Sequence, residues 1–86
     1  MPYKVKLTSR AAKELRRLPS HAQQRVLAAL KDLAVNPHPP GSTKLTGLDS
    51  HRVRAGDYRV VYDVDDTELS VTVWRVRHRK DVYRDL

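Results

Sequence analysis

The sequence predicts an α+β domain with the order β-α-α-β-β-β, in which a helical hairpin packs on one face of a small, mainly antiparallel sheet. Three observations predict it. Tyr3 to Leu7 alternates apolar and polar residues, as a half-buried strand does. Apolar residues then recur at helical spacing in two stretches separated by Pro19. From Arg52 to Arg77 the chain returns to alternation and is rich in Val. A length of 86 residues accommodates one such domain, residues 1–86, and no second.

After the first strand, Thr8 and Ser9 offer an N-cap, and Ala11, Ala12, Leu15 and Leu18 form the apolar stripe of a helix that Pro19 stops. Ser20 and Gln23 read as an S-x-x-Q capping box for a second helix. Its stripe is Ala22, Val26, Ala29, Leu30 and Leu33, and the run Asn36-Pro37-His38-Pro39-Pro40-Gly41 ends it. Arg10, Lys13, Arg16, Arg17, Arg25 and Lys31 fall on the outer side of this hairpin.

The strands follow. Arg52-Val53-Arg54 is short, Asp57 to Val64 alternates cleanly, and Glu68 to Arg77 is longer. Residues 79–86 read as a tail or a helical turn. Taking Asp65-Asp66 as a two-residue hairpin loop sets Val64 opposite Thr67, Tyr62 opposite Leu69, Val60 opposite Val71 and Tyr58 opposite Val73, the helix-facing side. A turn at Ala55-Gly56 sets Arg52 opposite Arg59; a turn at Gly56-Asp57 sets Arg54 there instead. Either way Arg52, Arg54 and Arg59 share the face away from the helices. Like charges opposed on a sheet are unfavourable, so this face reads as an anion site, the alternative being arginines splayed into water or paired with Asp57 and Asp63. In the same register Arg75, Arg77 and Arg79 would point inward beyond Val73. Either the last strand outruns its partner, or a bulge near Trp74 flips the alternation and brings Arg77 and Arg79 to the face of Arg59.

Composition narrows the chemistry. There is no Cys, which excludes disulfides, thiolate nucleophiles and thiolate metal sites, and no Phe, which makes the core mostly aliphatic. The start MPYKVKLTSR has no apolar signal segment, and no stretch reaches membrane-spanning length, so the expectation is a cytoplasmic protein without a membrane partner. Lys plus Arg is 17 against 10 Asp plus Glu, a net +7, which suggests a polyanionic partner, nucleic acid first. Nine basic and three acidic side chains lie in residues 1–50; eight and seven lie beyond, sorted by strand. Asp63, Asp65, Asp66 and Glu68 surround one turn and read as turn chemistry rather than metal ligands. The four histidines have no ligand spacing, Ser9 and Ser20 are explained as caps, and no glycine-rich phosphate loop exists. No metal and no cofactor is expected.

What remains is a set of arginines and tyrosines. RNA cleavage needs a proton taken from the 2′-OH, charge stabilised at phosphorus, and a proton given to the 5′-oxygen. Arg supplies the second. It cannot serve as the base, since its pKa exceeds about 12. Tyr83, beside Arg79 and Arg84, is a candidate proton handler, because neighbouring cations lower a phenol's pKa.

The segments Leu45-Thr46-Gly47-Leu48, Arg52-Val53-Arg54-Ala55-Gly56-Asp57-Tyr58-Arg59-Val60-Val61-Tyr62 and Val76-Arg77-His78-Arg79-Lys80-Asp81-Val82-Tyr83-Arg84, with Ser9 to Leu15 and Leu18-Pro19, resemble the RelE branch of the RelE/ParE toxins. The resemblance covers nearly the whole chain. It implies a RelE-like fold and the toxin of a type II toxin–antitoxin system, a metal-independent endoribonuclease that cuts mRNA in the ribosomal A site. Its implied partners are an acidic RelB-type antitoxin, the ribosome with its 16S rRNA, and mRNA. By motif position it implies catalytic roles for three residues. Arg59 would stabilise the scissile phosphate, Arg79 would stand near the leaving group, and Tyr83 would stack on or orient the base. Arg52, Arg54, Arg77, His78, Lys80 and Arg84 would contact RNA. Arg52 and Arg54 stand where the family often has lysines, which leaves His78 or Tyr83 as the general base. The ParE branch shares the fold, targets DNA gyrase without nuclease activity, and usually lacks this Arg/Tyr ending; it is the alternative.

Overall fold

The computed structural model describes residues 2–39, 43–44, 50–78 and 80, with backbone alone at 43–44. The elements are β1 Lys4–Leu7, α1 Ser9–Arg16, α2 Ser20–Val35, β2 Thr43–Lys44, β3 Ser50–Ala55, β4 Tyr58–Asp65 and β5 Ser70–His78. They realise the expected order with one addition, β2, whose two residues are too few to show alternation in sequence. The sheet runs β1-β5-β4-β3-β2, with β1 parallel to β5 and every other pair antiparallel.

Thr8 caps α1, its hydroxyl accepting from Ala11 N at 3.1 Å. The capping box read at Ser20 does not form. Pro19 occupies the N-cap position of α2 and no side chain caps it. Gln23 instead donates Nε2 to the carbonyls of Arg16 at 3.1 Å and Leu18 at 3.0 Å. The tight turn at Pro19 brings orphan carbonyls of α1 within its reach, so Gln23 satisfies the end of one helix rather than the start of the next. Both helices cover the same sheet face. Ala11, Val26, Leu30 and Leu33 pack there with Ala55, Val60, Tyr62, Val71, Val73 and Val76. Tyr62 is fully buried, and its hydroxyl donates to the Pro37 carbonyl at 2.8 Å, which ties the end of α2 to β4. His51 stacks on the Tyr62 ring and meets His38 edge-on. No helix among the described residues is long and apolar enough to cross a membrane.

Two turns set the register. At β3–β4 the turn is Gly56-Asp57, with Gly56 at φ +65°, as the first position of a type II′ hairpin requires. A Cβ there would lie 3.0 Å from Arg25 Nη1, because the Arg25 stem lies over the turn. At β4–β5 the two-residue Asp65-Asp66 loop is replaced by a longer one, Asp66 to Leu69, entering β5 through Leu69 at φ +52°. The Asp65 carboxylate closes it, accepting from Thr67 N and Glu68 N at 3.0 Å each. Tyr3 fastens it further by donating to Asp66 at 2.6 Å. Val64 therefore faces Val71 and Tyr62 faces Val73. The slip from the expected register is even, so each side chain keeps its face.

In the second half of β5 the bulge, one of the two expected outcomes, is the one realised. Val61 faces Arg75 and Tyr62 faces Val73, which leaves Trp74 as the extra residue. Beyond it Val76 is buried opposite Val60, and Arg77 stands opposite Arg59.

Candidate nucleic-acid interface

The two registers converge on one row. Arg54 faces Arg59 across β3–β4, and Arg59 faces Arg77 across β4–β5. Neighbours along such a row stand about 5 Å apart at Cα, so three guanidiniums share a strip of sheet. All three lie on the face opposite Val53, Val60 and Val76, which pack toward the helices. Arg52 is one step further along, opposite Val61. Arg54 is exposed; Arg52, Arg59 and Arg77 are half-buried. The placement follows from backbone alone: the Gly56-Asp57 turn fixes Arg54 against Arg59, and the Trp74 bulge fixes Arg77.

Two members of the row have partners that position them. Arg59 Nη1 donates to the Tyr58 carbonyl at 3.3 Å, which lays the guanidinium back along β4. Arg77 Nε stands 3.7 Å from Glu14 Oε2. The same carboxylate is bound more tightly by Arg75, at 3.1 Å from Nη2 and 3.2 Å from Nε. Glu14 also accepts the Val76 N–H at 2.9 Å. Arg75 thus serves structure, while Arg77 belongs to the open face.

His78 does not join the row. The alternation that turns Arg77 outward turns His78 to the helix side, where its ring meets Tyr58 edge-on at 5.4 Å between centroids. Its Nδ1 accepts from Lys80 N at 3.2 Å, so the neutral ring carries its proton on Nε2. Lys80 is exposed beside it. Arg79, Tyr83 and Arg84 lie outside the described residues.

Two features escaped sequence reading. One is Glu14, whose only signal was its isolation: it is one of three acids in the first fifty residues. The other is a side-chain chain on the open face. Ser50 Oγ donates to Asp63 Oδ1 at 2.8 Å, and Trp74 Nε1 donates to Asp63 Oδ2 at 2.7 Å. Asp63, read as turn chemistry, anchors an indole instead, whereas Asp65 does close the turn.

An open sheet face carrying a strip of fixed cations holds phosphate oxygens by charge-assisted, directional hydrogen bonds. Known proteins share this architecture. Residues 5–83 match the family described as the ParE toxin of type II toxin–antitoxin systems, parDE. Toxin RelG of Mycobacterium tuberculosis is 38% identical over 88 residues, spanning 98% of this chain and 99% of that one. The toxin–antitoxin complex RelBE2 of the same organism contains a chain that superposes with a TM-score of 0.82 at 32% identity, covering 92% of this chain and 100% of that one. The archaeal RelE–RelB complex of Pyrococcus horikoshii gives the same score and identity, covering 92% and 97%.

Proposed function

Because the chain belongs to the RelE/ParE superfamily of type II toxins, and is RelE-like within it, we propose that it is a ribosome-dependent endoribonuclease that cuts mRNA in the A site and is silenced by an acidic RelB-type antitoxin. The Arg54–Arg59–Arg77 row carries this reading. In the reaction the 2′-oxygen, losing its proton, attacks the adjacent phosphorus. The bond from phosphorus to the 5′-oxygen breaks, a 2′,3′-cyclic phosphate forms, and the 5′-oxygen takes up a proton. Negative charge grows on the non-bridging oxygens as the 2′-oxygen adds. Arg59, central in the row and braced on Tyr58, is placed to receive it, with Arg54 and Arg77 on either side. Arg52 extends the track along the RNA backbone. His78, with Nδ1 occupied by Lys80 N, offers a proton through Nε2 rather than a site to accept one. That leaves the base role to Tyr83, with Arg79 near the leaving group and Arg84 and Lys80 on RNA, as the motif assigns them. Neither metal nor cofactor enters any step.

An acidic antitoxin fits the net +7 of the chain and its cationic open face. Membership of the family described as ParE toxins favours one competing reading, a gyrase-directed toxin. Primer extension on translating mRNA after induction separates the two: A-site cuts support the nuclease, and stalled gyrase–DNA cleavage complexes without mRNA cuts support the other. Undiminished growth inhibition by an Arg59→Ala, Tyr83→Phe double variant rejects the proposal.

A further inference from the structure

The face of Trp74 has no part in the arginine row. It is the chain's only tryptophan, and it is 46% exposed. A large aromatic left in water forgoes the burial that usually justifies it. Here it is also held still. Its Nε1 is bonded to Asp63, Asp63 is bonded to Ser50, and the Trp74 carbonyl accepts from Thr8 Oγ1 at 3.3 Å. The indole is therefore fixed by its edge, on the same face as the arginine row. Val61, opposite the bulge, and Arg59 are two residues apart on β4, about 7 Å along the strand and close to the span of one extended nucleotide.

The surroundings give that position a direction. On one side lie Arg52, Arg54, Arg59 and Arg77. On the other, a groove is lined by Asp63, Asp65, Asp66 and Glu68 along with Lys4 and Lys6. Phosphates are favoured over the arginines and disfavoured over the acids. An RNA strand crossing the row thus reaches Trp74 where its backbone gains nothing by going further, while a base can still lie on the indole.

We propose that Trp74 is a base-stacking platform for single-stranded RNA, a subsite next to the arginine row that holds a nucleotide neighbouring the scissile phosphate. The inference rests on the proposed use of the arginine face for RNA. Stacking on an aromatic ring tolerates any base, so the subsite adds affinity and alignment rather than sequence choice.

The single tryptophan is its own reporter. The purified 86-residue chain is titrated with a short RNA 2′-O-methylated throughout, so that nothing is cut, and with the same oligomer made abasic. The base-bearing oligomer quenches Trp74 fluorescence and the abasic one does not. By anisotropy of the labelled oligomer, Trp74→Ala weakens binding on the order of tenfold to a hundredfold, and Trp74→Phe restores most of it. Far-UV circular dichroism confirms the fold of each variant, and the Phe variant serves if the Ala variant does not fold. RNA that binds without quenching, and whose affinity is unchanged in Trp74→Phe and Trp74→Ala, overturns the stacking role alone, because Arg59→Ala still weakens that binding. An oligomer that fails to bind at low salt overturns both readings. Quenching by an acidic peptide and not by RNA assigns the surface to a protein partner and overturns the proposal.

Discussion

Glu14 Oε1 accepts the backbone N–H of Val76 at 2.9 Å, from a helix, at the level just past the end of β1. β1 reaches only Leu7, opposite Val73, so among the described residues the rest of β5 has no strand on that side. Glu14 covers the open edge and, with its other oxygen, binds Arg75 and approaches Arg77. One carboxylate thereby blunts an edge, neutralises a half-buried guanidinium and steadies a member of the candidate site.

Glu14→Ala removes the acceptor for Val76 N and the partner of Arg75. The expected loss is about 1–3 kcal/mol of folding stability, measured by urea unfolding. Glu14→Gln keeps an acceptor for the N–H and gives a smaller loss. An unchanged unfolding midpoint in the alanine variant contradicts the clamp.

The arginine row has its own signature in salt. Each phosphate contact removed lowers the slope of log K against log salt by about 0.7 for single-stranded nucleic acid. Arg54→Ala, Arg59→Ala and Arg77→Ala are each expected to shift the slope by about that amount, read from RNA binding across a salt series. Arg75→Ala, whose charge is engaged by Glu14, is expected to change stability and leave the slope close to that of the parent chain.

The Trp74 bulge is tested by length rather than identity. Deleting Trp74 removes the extra residue, so Arg75 follows Val73 in strict alternation, Val76 stays inward opposite Val60, and Arg77 stays opposite Arg59. The deletion variant is expected to fold by circular dichroism, as is Trp74→Phe, which keeps the residue count. A deletion variant that loses its fold would contradict Trp74 as the extra residue of β5.

Tyr3 has its phenol pushed above the usual 10.0, chiefly because its hydroxyl donates to Asp66, with desolvation and the Asp66 charge adding to it. The protonated form is the one favoured by folding. Its contribution is therefore complete below pH 10 and is lost as pH rises through the higher folded value. Absorbance titration near 295 nm is expected to show a late-ionising tyrosine that disappears in Tyr3→Phe.

Much of this was legible because faces survive errors of register. The Asp65-Asp66 loop was misjudged, yet the even slip left Val60, Tyr62, Val71 and Val73 inward and Arg59 outward. Arg54 opposite Arg59 was one of two options that a glycine turn allows. A bulge was one of two outcomes the sequence left open, because Arg75 and Arg77 could not stay buried. The Glu14 clamp and the Ser50–Asp63–Trp74 chain could not be anticipated, since each joins residues whose proximity depends on how α1 and β3 dock on the sheet. β2 is two residues long and carries no pattern at all. Ser20 looked like a cap because the motif was intact, but the turn at Pro19 gave Gln23 nearer acceptors.

The parallel pairing of β1 with β5 also fixes the order of events during synthesis. β1 emerges from the ribosome before any other described element, yet its neighbour among the described strands is the one made last of them. Contacts so distant along the chain form late and slowly. The arginine row needs the same strand, because Arg77 is its third member. A nascent chain therefore carries cations but no assembled row until β5 is out and paired. The ribosome translating this protein is not exposed to the finished cationic face until the fold closes.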